Sequence, residues 1–153
     1  MPGPQLDLDS YVPFLLGAIG NRMARGASRA YLERFRIGIN EWRILAHVRI
    51  TPGTTANEIC QASGLDKGAA SRSVSRLEQM EHIRVAGRGG EARRRGLFLT
   101  ESGAKLHDAV MSLALEREAR LLAGLSSEEL ATLLGLLRRL NDNASGLTSD
   151  NSD

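Results

Sequence analysis

The chain has 153 residues, 42% hydrophobic and 25% charged, with a formal net charge of +2. That is the composition of an ordinary globular protein, with no global basic field to announce nucleic acid. A single cysteine, Cys60, excludes an internal disulfide, and no stretch reaches the roughly 20 apolar residues that span a bilayer.

Residues 1–9 read as a flexible leader, and the apolar run after it is broken at Gly17 and Gly20 with Asp7 and Asp9 ahead of it, unlike a signal peptide. A cytoplasmic protein is expected. From Ser10 to about Phe35 Leu15, Ile19, Met23 and Ala27 recur at every fourth residue, which predicts a helix. Asn40 is a candidate N-cap for a second helix that turns Trp42, Leu45 and Val48 inward and stops before Thr51-Pro52-Gly53. Thr55-Ala56-Asn57-Glu58 has capping-box form and starts a short third helix, which Gly64 ends. Asp66 caps a fourth, running to about Met80 on the apolar stripe Ala70, Val74, Leu77 and Met80.

Beyond that point the pattern shortens. Ile83-Arg84-Val85 and Leu97-Phe98-Leu99 predict two strands around a flexible basic loop, Gly87 to Arg95. Helical periodicity returns after Thr100 to about Leu122. Ser126-Ser127-Glu128-Glu129 offers another capping box for a last helix to about Asn143, and the Ser-, Asn- and Asp-rich tail 144–153 is expected to be disordered. The order of helix, Gly-containing turn, helix and basic hairpin defines a mainly α winged helix-turn-helix.

The fourth helix sets Gly68, Ser71, Arg72, Ser75 and Gln79 opposite its apolar stripe, with Lys67 and Arg76 at the margins. Small residues let a backbone approach a groove, and an arginine can fork onto guanine. The hairpin then carries Arg84, Arg88, Arg93, Arg94 and Arg95 against one acid, Glu91. Arginine at such a tip suits the negative potential of a narrow minor groove. Both features point to double-stranded DNA.

Three stretches together resemble the MarR family of transcriptional regulators. Gly38-Ile39-Asn40-Glu41-Trp42-Arg43-Ile44-Leu45 is similar to the start of that family's second helix. Leu65-Asp66-Lys67-Gly68-Ala69-Ala70-Ser71-Arg72, with Arg76-Leu77-Glu78, resembles its recognition helix. Glu91-Ala92-Arg93 ahead of Leu99-Thr100-Glu101-Ser102-Gly103 is similar to its wing.

The resemblance covers residues 10–143 and implies a division: 10–36 and 101–143 as dimerisation helices around a DNA-binding lobe at 37–100. It implies that Arg93 enters the minor groove and that Glu91, where the family has Asp, braces it. Glu81 stands where the family has Gly, so a differently built junction into the wing is expected there. A homodimer is implied, for which the leucine-rich last helix supplies surface; it would read an inverted repeat as a repressor. Also implied is release by a small aromatic or phenolic effector, such as an aromatic acid or its CoA thioester. Its cleft, between the dimerisation helices and the lobe, would take in Arg22, Met23, Trp42 and His47.

Other classes are less well supported. No Gly-rich phosphate loop, nucleophile with its base or i, i+4 metal pair points to an enzyme, and no cofactor is expected. His47, His82 and His107 are too scattered for a metal site. Cys60 invites a redox-responsive reading, but its place within the third helix favours burial. A winged-helix protein-interaction module is the main alternative, and it gives no reason for the cluster of wing arginines. Activation and repression are not separated by sequence.

Overall fold

The structure is a computed structural model describing residues 3 and 5–149, with the side chains of residues 91, 92, 148 and 149 also outside that description. Among the described residues run helices α1 (Val12–Phe35), α2 (Ile39–Ile50), α3 (Ala56–Ser63) and α4 (Lys67–Gln79), strands β1 (Ile83–Arg88) and β2 (Glu91–Leu99), and helices α5 (Glu101–Leu121) and α6 (Ser127–Ser149). They form two compact units that meet within α5, between Ala114 and Leu115.

The first unit is built on one apolar core. Ile37, Ile44, Leu45 and Val48 from α2 and its approach meet Ile59 of α3, Ala70 and Leu77 of α4, and Ile83 and Leu97 at the base of the hairpin. Ala27 and Tyr31 of α1 and Val110 and Leu113 of α5 complete it. The inner halves of α1 and α5 therefore belong to the same core as residues 37–100. Periodicity marks a buried face but does not say which neighbour covers it.

Local chemistry sets the boundaries. Thr55 and Glu58 close the predicted capping box: Glu58 N–H donates to Thr55 Oγ1 at 3.2 Å and Thr55 N–H to Glu58 Oε2 at 2.9 Å. Asp66 Oδ2 accepts the Ala69 N–H at 2.9 Å and caps α4. Asn40 does not cap α2, which begins one residue before it. Gly38 is the cap, and the Glu41 carboxylate reaches back to accept its N–H at 2.7 Å. A capping carboxylate three residues inside the helix outranks the local preference of Asn.

The junction between α4 and the wing corrects the expectation drawn from Glu81. Glu81 adopts φ +59°, the left-handed conformation that glycine takes at no cost. The Glu81 N–H donates to the Glu78 carbonyl and the His82 N–H to the Leu77 carbonyl, both at 2.9 Å, which is a complete Schellman cap. The junction is built in the usual way, with strain left in one residue. Glu81→Gly is therefore expected to stabilise the protein by about 1 kcal/mol, the usual left-handed penalty for an L-residue. A thermal melt would show this as a rise of roughly 2–4 °C; an unchanged or lower midpoint would contradict it.

The hairpin also departs from its predicted form. Gly89 and Gly90, at φ +59° and +81°, make a two-residue turn, and the strands run up to it where a flexible loop is expected. Pairing is regular from Ile83↔Leu99 to Gly87↔Arg95, then jumps to Arg88↔Glu91. Residues 92–94 stand in a bulge between those pairs, a device that re-aims side chains near functional sites.

In the second unit, the Ser126–Glu129 capping box closes as predicted, with bonds of 2.8 and 3.1 Å. The helix α6 runs to Ser149, so residues 144–149 are helical where disorder is expected, and 150–153 lie outside the described residues. Ser and Asn cost a helix only a few tenths of a kcal/mol each, and Ser145 Oγ donates back to the Asn141 carbonyl at 3.1 Å. No described residue of α6 is buried, and Leu134, Leu136, Leu137 and Leu140 are exposed. The outer half of α1 is similar: Leu15, Leu16, Ile19 and Met23 all face solvent.

Candidate nucleic-acid interface

On α4, Ala70, Ser73 and Leu77 face the core, while Lys67, Gly68, Ser71, Arg72, Ser75, Arg76 and Gln79 are all exposed. The sequence separates these faces correctly apart from Ser73. Ser73 is buried, and its hydroxyl donates to Glu41 Oε1 at 2.9 Å. Because Glu41 Oε2 caps α2, one buried carboxylate ties the candidate recognition helix to the start of α2. Nothing local in the sequence marks Glu41 and Ser73 as functional beyond a capping carboxylate without an Asn or Ser cap before it.

The exposed basic residues differ in what they touch. The Arg72 guanidinium lies over Gly68, its Nη1 3.2 Å from where a Cβ at that position would sit. A side chain at 68 would therefore press on Arg72. Arg76 donates to the carbonyl of Arg36 at 2.9 Å, holding α4 against the left-handed end of α1. Arg84 lies over the Phe98 ring, 5.0 Å from its centroid. Arg95 donates to the Val85 carbonyl at 3.2 Å across the hairpin. Arg88 pairs with Glu58 Oε1 at 2.7 Å, and Glu58 is held below the usual carboxylate range chiefly by that bond. Arg93 and Arg94 are exposed within the bulge, and the Glu91 side chain, the expected brace for Arg93, lies outside the described residues.

The wing meets α5 in a dense junction that explains Leu99-Thr100-Glu101-Ser102-Gly103. Thr100 Oγ1 accepts the Gly103 N–H at 3.0 Å, capping α5, and donates to the Glu81 carbonyl at 2.7 Å. The Thr100 N–H donates to the His82 carbonyl at 3.1 Å, and Ser102 Oγ lies 2.8 Å from His82 Nδ1. Burial holds the His82 imidazole below its ordinary pKa, favouring the neutral ring.

Two surface grooves of the first unit do not bring together the four residues expected to line an effector cleft. Arg22 lines one with Phe14, Ala18 and Arg25 along α1. The other, near Phe98 and Ala104, holds none of the four. Trp42 is partly buried against the core, stacked on His107 at 5.3 Å and edge-on to Tyr31 at 6.2 Å. His107 in turn reaches Asp108 at 2.8 Å. Met23 is exposed and His47 half-buried. Cys60 is buried in α3. Among the described residues no cluster of His, Cys, Asp and Glu could hold a metal, and no helix is long and apolar enough to cross a membrane.

A helix-turn-helix whose second helix turns a polar, arginine-bearing face outward beside a basic hairpin is a winged-helix transcription regulator. Residues 37–95 match the model of the MarR family. A MarR/EmrR family transcriptional regulator from Acinetobacter sp. ADP1 is 30% identical, with a TM-score of 0.86 over 92% of this chain and 99% of that one. MepR of S. aureus, solved in complex with DNA, is 25% identical over 89% of this chain and 98% of its own (TM-score 0.76). PcaV of Streptomyces coelicolor, solved with its natural ligand, shares the fold at 22% identity over 92% and 99% (TM-score 0.72). The chain belongs to the MarR family, whose members are transcription regulators and not enzymes.

Proposed function

We propose that the protein is a ligand-responsive repressor that binds an inverted-repeat operator as a homodimer. The observation that carries this is the exposed face of α4 lying in one compact unit with the arginine-bearing bulge of β2. Lys67, Gly68, Ser71, Arg72, Ser75 and Arg76 meet the major groove, and Arg93, Arg94 and Arg95 follow the backbone into the minor groove. The DNA complex of MepR supports the same use of the fold.

Dimerisation is supported by the uncovered apolar faces of α1 and α6, where Leu15, Leu16, Ile19 and Met23 on one helix and Leu134, Leu136, Leu137 and Leu140 on the other are exposed. Sedimentation of the purified chain is expected to give two copies, and Leu137→Glu to shift the equilibrium toward one. A monomeric wild-type chain would sink the two-fold reading.

The effector is a small aromatic or phenolic compound, such as an aromatic acid or its CoA thioester, with Arg22 supplying charge for an acid at the exposed face of α1. The ligand complex of PcaV supports an effector of some kind. The primary test is an anisotropy titration against DNA from the region upstream of its own gene, beside random DNA, at two salt concentrations. Salt-sensitive preference for the upstream DNA, lost on adding an aromatic acid, is expected. Equal affinity for both DNAs would favour the protein-interaction alternative.

A further inference from the structure

We propose that Glu58 and Arg88 form a strut that sets the position of the distal wing on DNA, and that Arg88 is a positioning residue rather than a phosphate contact. This rests on the reading that α4 and the wing engage DNA.

The regular ladder of the hairpin ends at Gly87↔Arg95. Past it the three-residue bulge separates the strands until Arg88↔Glu91, so backbone pairing alone cannot fix where the bulge residues Arg93 and Arg94 point. A further fixed point lies at the end of β1. Arg88, the last residue of β1 before the turn, lays its stem over Gly53, its Cγ 3.4 Å from where a Cβ on that residue would sit. Its guanidinium then meets Glu58 Oε1 at 2.7 Å.

Glu58 is itself anchored. Its other oxygen takes the Thr55 N–H at 2.9 Å and the Thr54 hydroxyl at 3.2 Å, closing the cap of α3. Thr54 and Gly53 are bonded to Leu97 of β2, each at 2.8 Å. One carboxylate thus joins the start of the helix-turn-helix to the outer end of the wing.

Both side chains are about two-fifths exposed, and such surface pairs contribute little to stability. Their effect is on geometry. With its charge neutralised by Glu58, Arg88 contributes nothing to counterion release, in contrast to Arg93.

The test compares Arg88→Met, Glu58→Gln and Arg93→Ala in the full chain. Glutamine at 58 keeps the capping box, since its amide oxygen still accepts the Thr55 N–H. Arg88→Met is expected to weaken binding to upstream DNA about tenfold while leaving the slope of log affinity against log salt at the wild-type value. Glu58→Gln is expected to weaken upstream binding similarly and to steepen the slope by about one ion per subunit, because Arg88 is released. Arg93→Ala flattens the slope instead. A flattened slope in Arg88→Met, or unchanged affinity, would overturn the proposal.

Amide exchange in the free protein tests the strut without DNA. Gly89 to Arg95 are expected to exchange roughly tenfold faster in both strut variants, with α3 unchanged in Glu58→Gln. Unchanged exchange would overturn the strut. If wild-type protein showed no DNA preference, the DNA reading would fail while exchange still decided whether the strut holds the wing.

Discussion

Gly103→Ala is expected to be among the most damaging single substitutions in the first unit. A Cβ on residue 103 would overlap the carbonyl oxygen of His82 and lie 2.8 Å from its carbon. Neither partner can yield cheaply. The His82 carbonyl is fixed by the Thr100 N–H, and its residue ends the Schellman cap of α4. Gly103 is fixed by its own bond to Thr100 Oγ1. Overpacking of this kind costs about 3 kcal/mol, which lowers the melting midpoint by roughly 6–12 °C at this size. Ser102→Ala is the control. It removes only the contact with His82 Nδ1 and is expected to cost about 1 kcal/mol. A Gly103→Ala variant that melts with the wild type would mean that α5 does not seat against the wing as described.

The second large effect is on binding, where Arg72 and Arg93 are expected to fail in different ways. Arg72 projects from the first turns of α4, the part of a recognition helix that reaches base edges. Arg72→Ala is expected to cost roughly 1–3 kcal/mol on the preferred DNA and little on random DNA, relaxing one defined base pair. Arg93 stands on the bulge of β2, and Arg93→Ala is expected to weaken both DNAs and flatten the salt dependence by about one counterion per subunit. Competition titrations over a set of single-base variants separate the two. Identical losses on specific and random DNA would remove the distinction between helix and wing.

The sequence made the helix-turn-helix legible because its signals are local. Thr55 with Glu58, Asp66 ahead of α4 and Ser126 with Glu129 are caps written within four residues, and each is present. The outward face of α4 follows from helical spacing, and so does most of its inner face. The remainder depends on distant partners. Ser73 carries no local signal of its burial until Glu41, 32 residues earlier, is placed beside it. Arg88 reads as one more wing cation until Glu58, 30 residues earlier, neutralises it. The wing tip reads as a flexible loop because glycine and arginine look like coil when the pairing strand is unknown. Trp42 carries no local sign of which ring it meets in the fold. Its stacking on His107 is a tertiary fact that no local window contains. Residues 144–149 show the same limit from the other side, since composition argued for coil where a helix, once begun, simply continued.

In the proposed function, α4 and the wing of two copies read DNA together. Hydroxyl-radical footprinting of the full chain on the fragment upstream of its gene tests this most directly. Two protected half-sites are expected, related by inversion and centred roughly 10–10.5 base pairs apart, or a multiple of that. Protection in the minor groove beside each half-site should disappear in Arg93→Ala. A single protected patch without symmetry, or protection unaffected by both Arg72→Ala and Arg93→Ala, would contradict the account.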